Sequence, residues 1–445
     1  MIKIRSIKNQ LSIALFLSLV ISCKDTPPKE TPLVVREDPG KSATNAAEIR
    51  KNTAVQLADG LTLTLWASDS LAPDPVAMSV DDIGNIYLTR TNRQKNSEFD
   101  IRGYRHWMIP SISLQSVEDR RAFLHATFAP EKSKENEWLK DLNNDGSHDW
   151  KDLAVERDEI WKIEDQSGDG YADVSTRILN DFHDEVTDVA GGLLIRDNDA
   201  FVTIGPDMWR LKDTNNDGVL DEKTSISHGY AVHIGFSGHG MSGAMEGPDG
   251  KIYWQIGDIG ANITAPDGKV HAYPNEGVLV RSNEDGSDFE VFASGIRNTH
   301  EFVFDEYGNI ISSDNDGDHP GESERLVYLV EGSDQGWRSN WQYGKYVDPK
   351  NNQYKVWMEE GLYKPRWEGQ AAYIIPPIVN FHNGPTGMVY NPGTALGSAW
   401  KNNFFLVEFV GNPSRSHIWA FTLKPKGASF ELAEDKDVVL SLIHI

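Results

Sequence analysis

His239 stands in a glycine-rich stretch, GHGMSG, followed by a Pro248-Asp249-Gly250 turn, an alternating strand and Asp258 just beyond it. Further on comes Gly295-Ile296-Arg297-Asn298, again between strand-like segments. An imidazole titrates near neutrality and takes a proton from an alcohol when a carboxylate fixes its tautomer. Asp258 is placed to be that carboxylate. Arg297 keeps its charge at any working pH and suits a developing alkoxide, and Asn298 offers an amide beside it. Base, orienting acid and cation at comparable loop positions outline an oxidoreductase or hydrolase site. Each residue alone has a plainer role: a histidine on a carbonyl, an aspartate capping a turn, an arginine on Glu301. Their common order and spacing favour one shared site.

The elements that must carry these residues repeat. Residues 75–89 read PVAMSVDDIGNIYLT, 243–258 read GAMEGPDGKIYWQIGD and 300–314 read HEFVFDEYGNIISSD. Each is a short apolar strand, a D-x-x-G or PDG turn and a second alternating strand. Weaker copies lie at 191–203 and 386–409, and further hairpins at 160–179, 208–226 and 277–293. Four short strands recurring at a period of roughly fifty residues predict an all-β propeller. A sandwich competes, but it does not require the hairpin to recur. Five blades are counted over 53–439, and residues 61–66, LTLTLW, are expected as a lone strand completing the last blade. Residues 92–157 interrupt the first blade. Within them 116–127 has helical spacing, with Val117, Phe123, Leu124 and Phe128 on one side and Pro130 ending it, so the insertion is expected to be partly helical.

Composition sets outer limits. The 445 residues carry 67 acidic and 43 basic side chains, a net charge of −24. That acidity argues against nucleic acid as a partner, since binding a phosphate backbone requires lysine and arginine to displace counterions. Residues 1–23 read as an export signal: Lys3, Arg5 and Lys8 precede a short apolar run. The run ends Val20-Ile21-Ser22-Cys23, which resembles a bacterial lipobox, so Cys23 is the expected lipidation site and the membrane a partner through that anchor. Residues 24–52 would be a flexible tether, and the expected location is the periplasmic face or surface of the outer membrane. Cys23 is the one cysteine, which excludes an intrachain disulfide. Residues 440–445, LSLIHI, read as foreign to the pattern and as the start of a non-native tail.

Three segments have the spacing of calcium loops. Asp141, Asn143, Asp145, Ser147, Asp149 and Asp152 fill the ligand positions of a twelve-residue loop with Gly146 at its turn. Asp165, Ser167, Asp169 and Asp173 form a second, and Asp213, Asn215, Asp217 and Asp221 a third. The alternative is a set of solvated turns rich in Asp, Asn and Gly. In either case the role is structural. Trp107, Trp209, Trp341 and Tyr343 on apparent loops are candidates to stack on sugars, while the other aromatics pack blades.

The run of His239, Gly247-Pro248-Asp249-Gly250-Lys251-Ile252-Tyr253 and Ile256-Gly257-Asp258, then Gly295–Asn298, resembles the quinoprotein glucose and aldose sugar dehydrogenase family. The acidic loop 313–324, Gly336-Trp337, Pro376-Pro377 and Pro385-Thr386-Gly387 continue the same order. The resemblance implies a six-bladed scaffold, so that the last blade here is missing or incomplete. It implies pyrroloquinoline quinone and calcium as cofactors, a sugar or polyol substrate, and a c-type cytochrome or quinone as electron acceptor. His239 would take the hydroxyl proton, Asp258 would support it, and Arg297 and Asn298 would contact the quinone. Arg415 is the one candidate for its carboxylates. Calcium would sit on the backbone carbonyls of Asp316 and Gly317, where the family has a Gly-Pro pair; that departure leaves the side chains of Asp314, Asp316 and Asp318 to bind the ion differently or to bind another one. The insertion and the DNDGD loop at 314–318 also resemble exported membrane-bound dehydrogenase-like and haem-binding propeller proteins, although no CxxCH motif is present. Two other readings stand beside this one. A non-catalytic propeller binding carbohydrate or protein is the first. A calcium-dependent lactonase-like hydrolase built on Asp314, Asp316 and Asp318 is the second.

Overall fold

The computed structural model describes residues 32–93, 96–315, 317, 324–339, 342, 350, 366–369, 374–381, 384–412, 415–433 and 437–444. Five sheets, antiparallel but for the short parallel strand Ser333–Asp334 at the edge of the third, follow one another along the chain as the blades of an all-β propeller. Their first strands are Met78–Val80, Ala190–Arg196, Met241–Glu246, Thr299–Phe304 and Pro385–Asn391, and each touches the first strand of the next blade. The recurring hairpin of the sequence is the inner hairpin of every blade. In blade 3, for example, Met241 pairs with Ile256 and Glu246 with Ile252.

Alternation along the strands builds the core between blades, not within them. Leu193, Val202 and Leu211 of blade 2 meet Ile160 and Leu179 of blade 1. Its Phe201 and Met208 meet Trp254, Val278 and Val280 of blade 3. Neighbouring Leu279 turns the other way, towards Phe302 and Val327 of blade 4, whose Val303 and Leu326 meet Met388 and Phe404 of blade 5. A strand covered on both faces is apolar throughout, which is why Ile252–Ile256 is buried at every position. Blades 1 and 5 differ. Their first strands leave Met78, Val80 and Val389 more than half exposed.

The N-terminal region departs from the sequence reading in two places. From Leu33 on, the expected tether is structured: Leu33–Arg36 joins the edge of blade 1, and Pro39–Asn52 is a helix capped by Asp38. The next segment, Ala54–Leu57, pairs with Asp437–His444 in blade 5. That last strand includes most of the segment read as a foreign tail. Residues 61–66 form no strand. Leu61 packs on Phe405 of blade 5, whereas Trp66 and Leu71 pack on blade 1. Alternation marks an apolar face but does not guarantee a backbone partner. Among the described residues no helix is long and apolar enough to cross a membrane.

The insertion leaves blade 1 after Ile86–Thr91 and returns at Asp158–Glu164. Its helix Val117–Thr127 is capped by Ser116, whose side chain accepts from the Asp119 amide, and it buries Val117 and Leu124 as the spacing predicts. With Ile101, Trp107, Phe128 and Leu153 these residues form a cluster that closes over Ile234 and Phe236 of the His239 loop. The insertion is stapled there by polar contacts. Ile101 N donates to Gly235 O at 2.9 Å, Ser111 Oγ to Ile234 O at 2.9 Å, and Arg120 to Ala231 O at 2.9 Å.

Candidate functional site

His239 follows Gly238, whose φ of +82° turns the chain so that the imidazole points at blade 3. Its Nδ1 lies 2.7 Å from Oδ1 of Asp258, and the other oxygen of Asp258 accepts Trp337 Nε1 at 2.7 Å. An ionised carboxylate only accepts, so Nδ1 of His239 carries the proton and Nε2 presents a lone pair. Nε2 makes no hydrogen bond among the described residues and is not among the buried polar atoms lacking a partner, so it meets solvent. His239 is 6% exposed and Asp258 2%. Burial pushes the Asp258 carboxyl up, but the charge and hydrogen bond of His239, then Arg297 and Trp337, outweigh it and hold it below the usual carboxylate range.

Arg297 arrives from the end of blade 3. Its guanidinium lies between the rings of Phe236 and Trp337, 5.6 and 5.5 Å from their centroids, and Nε donates to Gln342 Oε1 at 3.4 Å. Backbone contacts lock this loop to the first. Asp258 N donates to Arg297 O at 2.7 Å, and Gly257 sits so close that a Cβ there would lie 2.6 Å from His239 O and 3.0 Å from Arg297 O. Only glycine fits that position. Asn298 donates from Nδ2 to Asn315 Oδ1 at 2.8 Å and to His300 Nε2 at 3.2 Å, while its Oδ1 is buried without a partner. Burial, followed by the charge of His239, pushes His300 down to about 4, so it is neutral at neutral pH.

The three residues singled out by spacing therefore meet. Imidazole, carboxylate and guanidinium from the loops that enter, cross and leave blade 3 form one cluster under the insertion. Sequence reasoning missed the contributions of Phe236, His300 and Trp337. Trp337 lay in a Gly-Trp turn already noted, but nothing in its spacing pointed at Asp258.

Other expected site residues go elsewhere. Asp314 is fully buried and accepts Arg297 N at 3.1 Å, Asn298 N at 2.7 Å and a guanidinium N–H of Arg325. It shapes the Arg297 loop, and its oxygens are spent on that task. Gly317 is buried, and Asp316 and Asp318 lie outside the described residues, as do Cys23, Trp341 and Tyr343. Arg415 is exposed after blade 5's second strand, and among the described residues no contact joins it to the His239 cluster. Trp107 is buried in the insertion core. Trp209 lines a cavity of about 420 Å³ beside blade 2.

The calcium-type loops fold as self-capped turns. Asp141 accepts Asp145 N and Gly146 N, and Asp152 accepts Leu142 N at 2.8 Å, Asn143 N at 3.3 Å and Asp149 N at 2.9 Å. Ser147 N and Asn143 Nδ2 both turn to Asp145, and Ser147 Oγ to Asp149. Asp165 accepts Gly168 N, Asp169 N and Gly170 N, with Ser167 Oγ, and Tyr171 N turns to Asp169. Asp173 accepts Gln166 N and Ser167 N. Asp213 accepts Asp217 N and Gly218 N, Val219 N turns to Asp217, and Asp221 accepts Thr214 N and Asn215 Nδ2. Among the described residues no group of three or more His, Cys, Asp or Glu side chains converges as a metal site. The expected ligand sets are not assembled, because the spacing that serves calcium also serves side chains capping their own backbone.

No curated protein matches the chain by sequence. Several solved propellers are similar in fold. A putative oxidoreductase (glucose dehydrogenase) from Thermus thermophilus shares 12% identity at a TM-score of 0.44, over 87% of this chain and 88% of that one. The PQQ-bound aldose sugar dehydrogenase of Streptomyces coelicolor shares 11% at 0.43, over 86% and 84%. A calcium structure of a Trichoderma reesei carbohydrate-active enzyme of family AA12 shares 10% at 0.46, over 88% and 89%. At such distances no residue's role transfers. The family described as "Domain of unknown function (DUF7133)" matches residues 50–441, and the chain belongs to it.

Proposed function

We propose that the protein oxidises a hydroxyl-bearing carbon of a sugar or polyol, with His239 as the base and a quinone as hydride acceptor. One observation carries this reading: Nδ1 of His239 is locked on Asp258, whose carboxylate also feels the charge of Arg297, while Nε2 takes no hydrogen bond among the described residues. A base so held accepts a hydroxyl proton on Nε2, and Asp258 stabilises the imidazolium that results. Arg297 opposes the negative charge that develops on the substrate oxygen. The buried, unpartnered Oδ1 of Asn298 offers an acceptor for a second substrate hydroxyl.

The residues fit a quinone in part. The Arg297 guanidinium could face a quinone oxygen, but the amide donors of Asn298 are taken by Asn315 and His300, and Arg415 does not join them. Bound there, the quinone would accept the hydride leaving the carbinol carbon. Calcium fits less well, since Asp314 is engaged by Arg325 and two backbone amides. The same engagement removes support from the lactonase-like reading. Among the described residues the propeller has five blades, not the six that the resemblance implies, and the N-terminal strand Ala54–Leu57 pairs in the fifth. Export, lipidation of Cys23 and transfer of electrons to a cytochrome belong to this proposal on the sequence alone.

The test is a dye-reduction assay on purified protein with a panel of sugars and polyols, with and without added quinone and calcium. Quinone-dependent reduction abolished by His239→Ala is expected. Sugar binding without turnover would replace the enzyme by a carbohydrate-binding propeller, and lactone hydrolysis would overturn the redox chemistry.

A further inference from the structure

The reaction proposed above leaves a proton on His239, which must reach solvent before the next turnover. Glu98 belongs to the insertion and reaches across to the His239 loop. Its Oε1 accepts Ser237 Oγ at 2.9 Å and Gly238 N at 3.3 Å, while Oε2 takes no hydrogen bond among the described residues. The same side chain lines a cavity of about 520 Å³ between the insertion and this loop, together with Asn96, Asp100, Tyr104 and Ser237. Asp188 approaches the loop from blade 2. A Cβ on Gly240 would lie 2.6 Å from its Oδ2. Carboxylates thus flank His239 through the glycine before it and the glycine after it.

We propose that Glu98 is the proton-relay residue of this site, receiving the proton from His239 and passing it to solvent through the cavity it lines. This rests on the dehydrogenase reading. Glu98 acts through His239 and does not touch substrate. The substrate O–H bond breaks and its proton goes to Nε2 of His239. The carbinol hydrogen would leave with both C–H electrons, as hydride, to a two-electron quinone acceptor, and the C=O bond forms. The imidazolium proton then passes by way of water to the Glu98 carboxylate and from it to bulk water, which restores both groups.

The surroundings favour proton uptake by Glu98 relative to an exposed carboxylate. Burial, and then the charge of Asp188, push the Glu98 carboxyl up, while Ser237 and Gly238 partly oppose this. The charged groups facing it are Asp100 on its own segment, Asp188 before blade 2 and Arg120 on the insertion helix. Asp100 is held by Arg102 and Arg120 by Ala231 O, so neither competes as the carrier.

Glu98→Gln keeps the acceptor for Ser237 and Gly238 but cannot carry a proton. Its kcat is expected to fall on the order of 10²-fold, the low end of the range for a lost acid–base group, with KM and melting midpoint unchanged. The fall should shrink as pH or the concentration of a small buffer base rises. Wild-type kcat with an unchanged pH profile would overturn the relay. Histidine NMR gives a readout independent of turnover, with His239 signals assigned from a His239→Gln variant. In the wild type they should show a second inflection from Glu98 that Glu98→Gln removes. Its absence overturns the relay even in an active enzyme. Its presence in a protein that oxidises nothing overturns the dehydrogenase reading and leaves the coupling standing.

Discussion

Oδ1 of Asp258 accepts the Nδ1 proton of His239 at 2.7 Å, and both side chains are nearly closed to solvent. That bond sets which imidazole nitrogen is basic. Asp258→Asn removes the charge and allows the amide to donate to Nδ1, which puts the lone pair on the wrong nitrogen. kcat should fall about 10²- to 10⁴-fold with little change in KM. Steady-state kinetics on the variant check this. An unchanged kcat would mean that His239 is not the base.

Gly257 gives a test that touches no chemical group. Its missing Cβ is what lets the backbones of His239 and Arg297 approach, with 2.6 and 3.0 Å left for the added atom. Gly257→Ala must push these loops apart. A displacement near 1 Å costs on the order of 10² in kcat/KM. Circular dichroism should still report the folded propeller. Full activity in the variant would show that the two loops need not be held together.

Much of this was legible in the chain, for local reasons. The inner hairpins could be read because each joins alternation to a D-x-x-G turn. The insertion helix could be read because Ser116, the apolar spacing and Pro130 agree. Leu33–Arg36 could not, since its partner strand, Val174–Asp181, lies far away in sequence and four residues carry no period. The pairing of His239 with Asp258 was legible because the two residues flank one hairpin module, whose ends lie side by side. Glu98, Phe236 and Trp337 reach the same point from unrelated segments, and only packing brings them there. The acidic loops misled because one spacing satisfies two physical demands.

Asp152 separates those two demands. Both its oxygens are occupied by the amides of Leu142, Asn143 and Asp149, and the side chain is fully buried. Asp152→Ala would strand these donors and should cost about 1–3 kcal/mol. Thermal melting with a chelator should match melting with added calcium. A midpoint that rises with calcium in the wild type but not in the variant would show that the loop rearranges around the ion.

Arg93 and Asp158 form a fully buried pair at 3.2 Å, each side chain 1% exposed, where the insertion meets blade 1. Burial pushes the Asp158 carboxyl up to about 6, although Arg93, Ala190 N and Thr91 oppose the shift. A carboxyl raised in the folded state contributes stability that is fully present below about pH 3.9, its unfolded value, and is lost as pH rises through about 6. Asp158→Asn should flatten that decline. Arg93→Met leaves the carboxylate buried and unpaired, which costs about 3–5 kcal/mol at pH 7.5. At pH 5 the cost should be smaller, because Asp158 then takes up a proton and the orphaned charge disappears. Urea denaturation at the two pH values checks both variants. An equal cost of Arg93→Met at pH 5 and 7.5 would mean that arginine stabilises the fold by packing and by its bond to Glu156 O, with Asp158 already neutral at both.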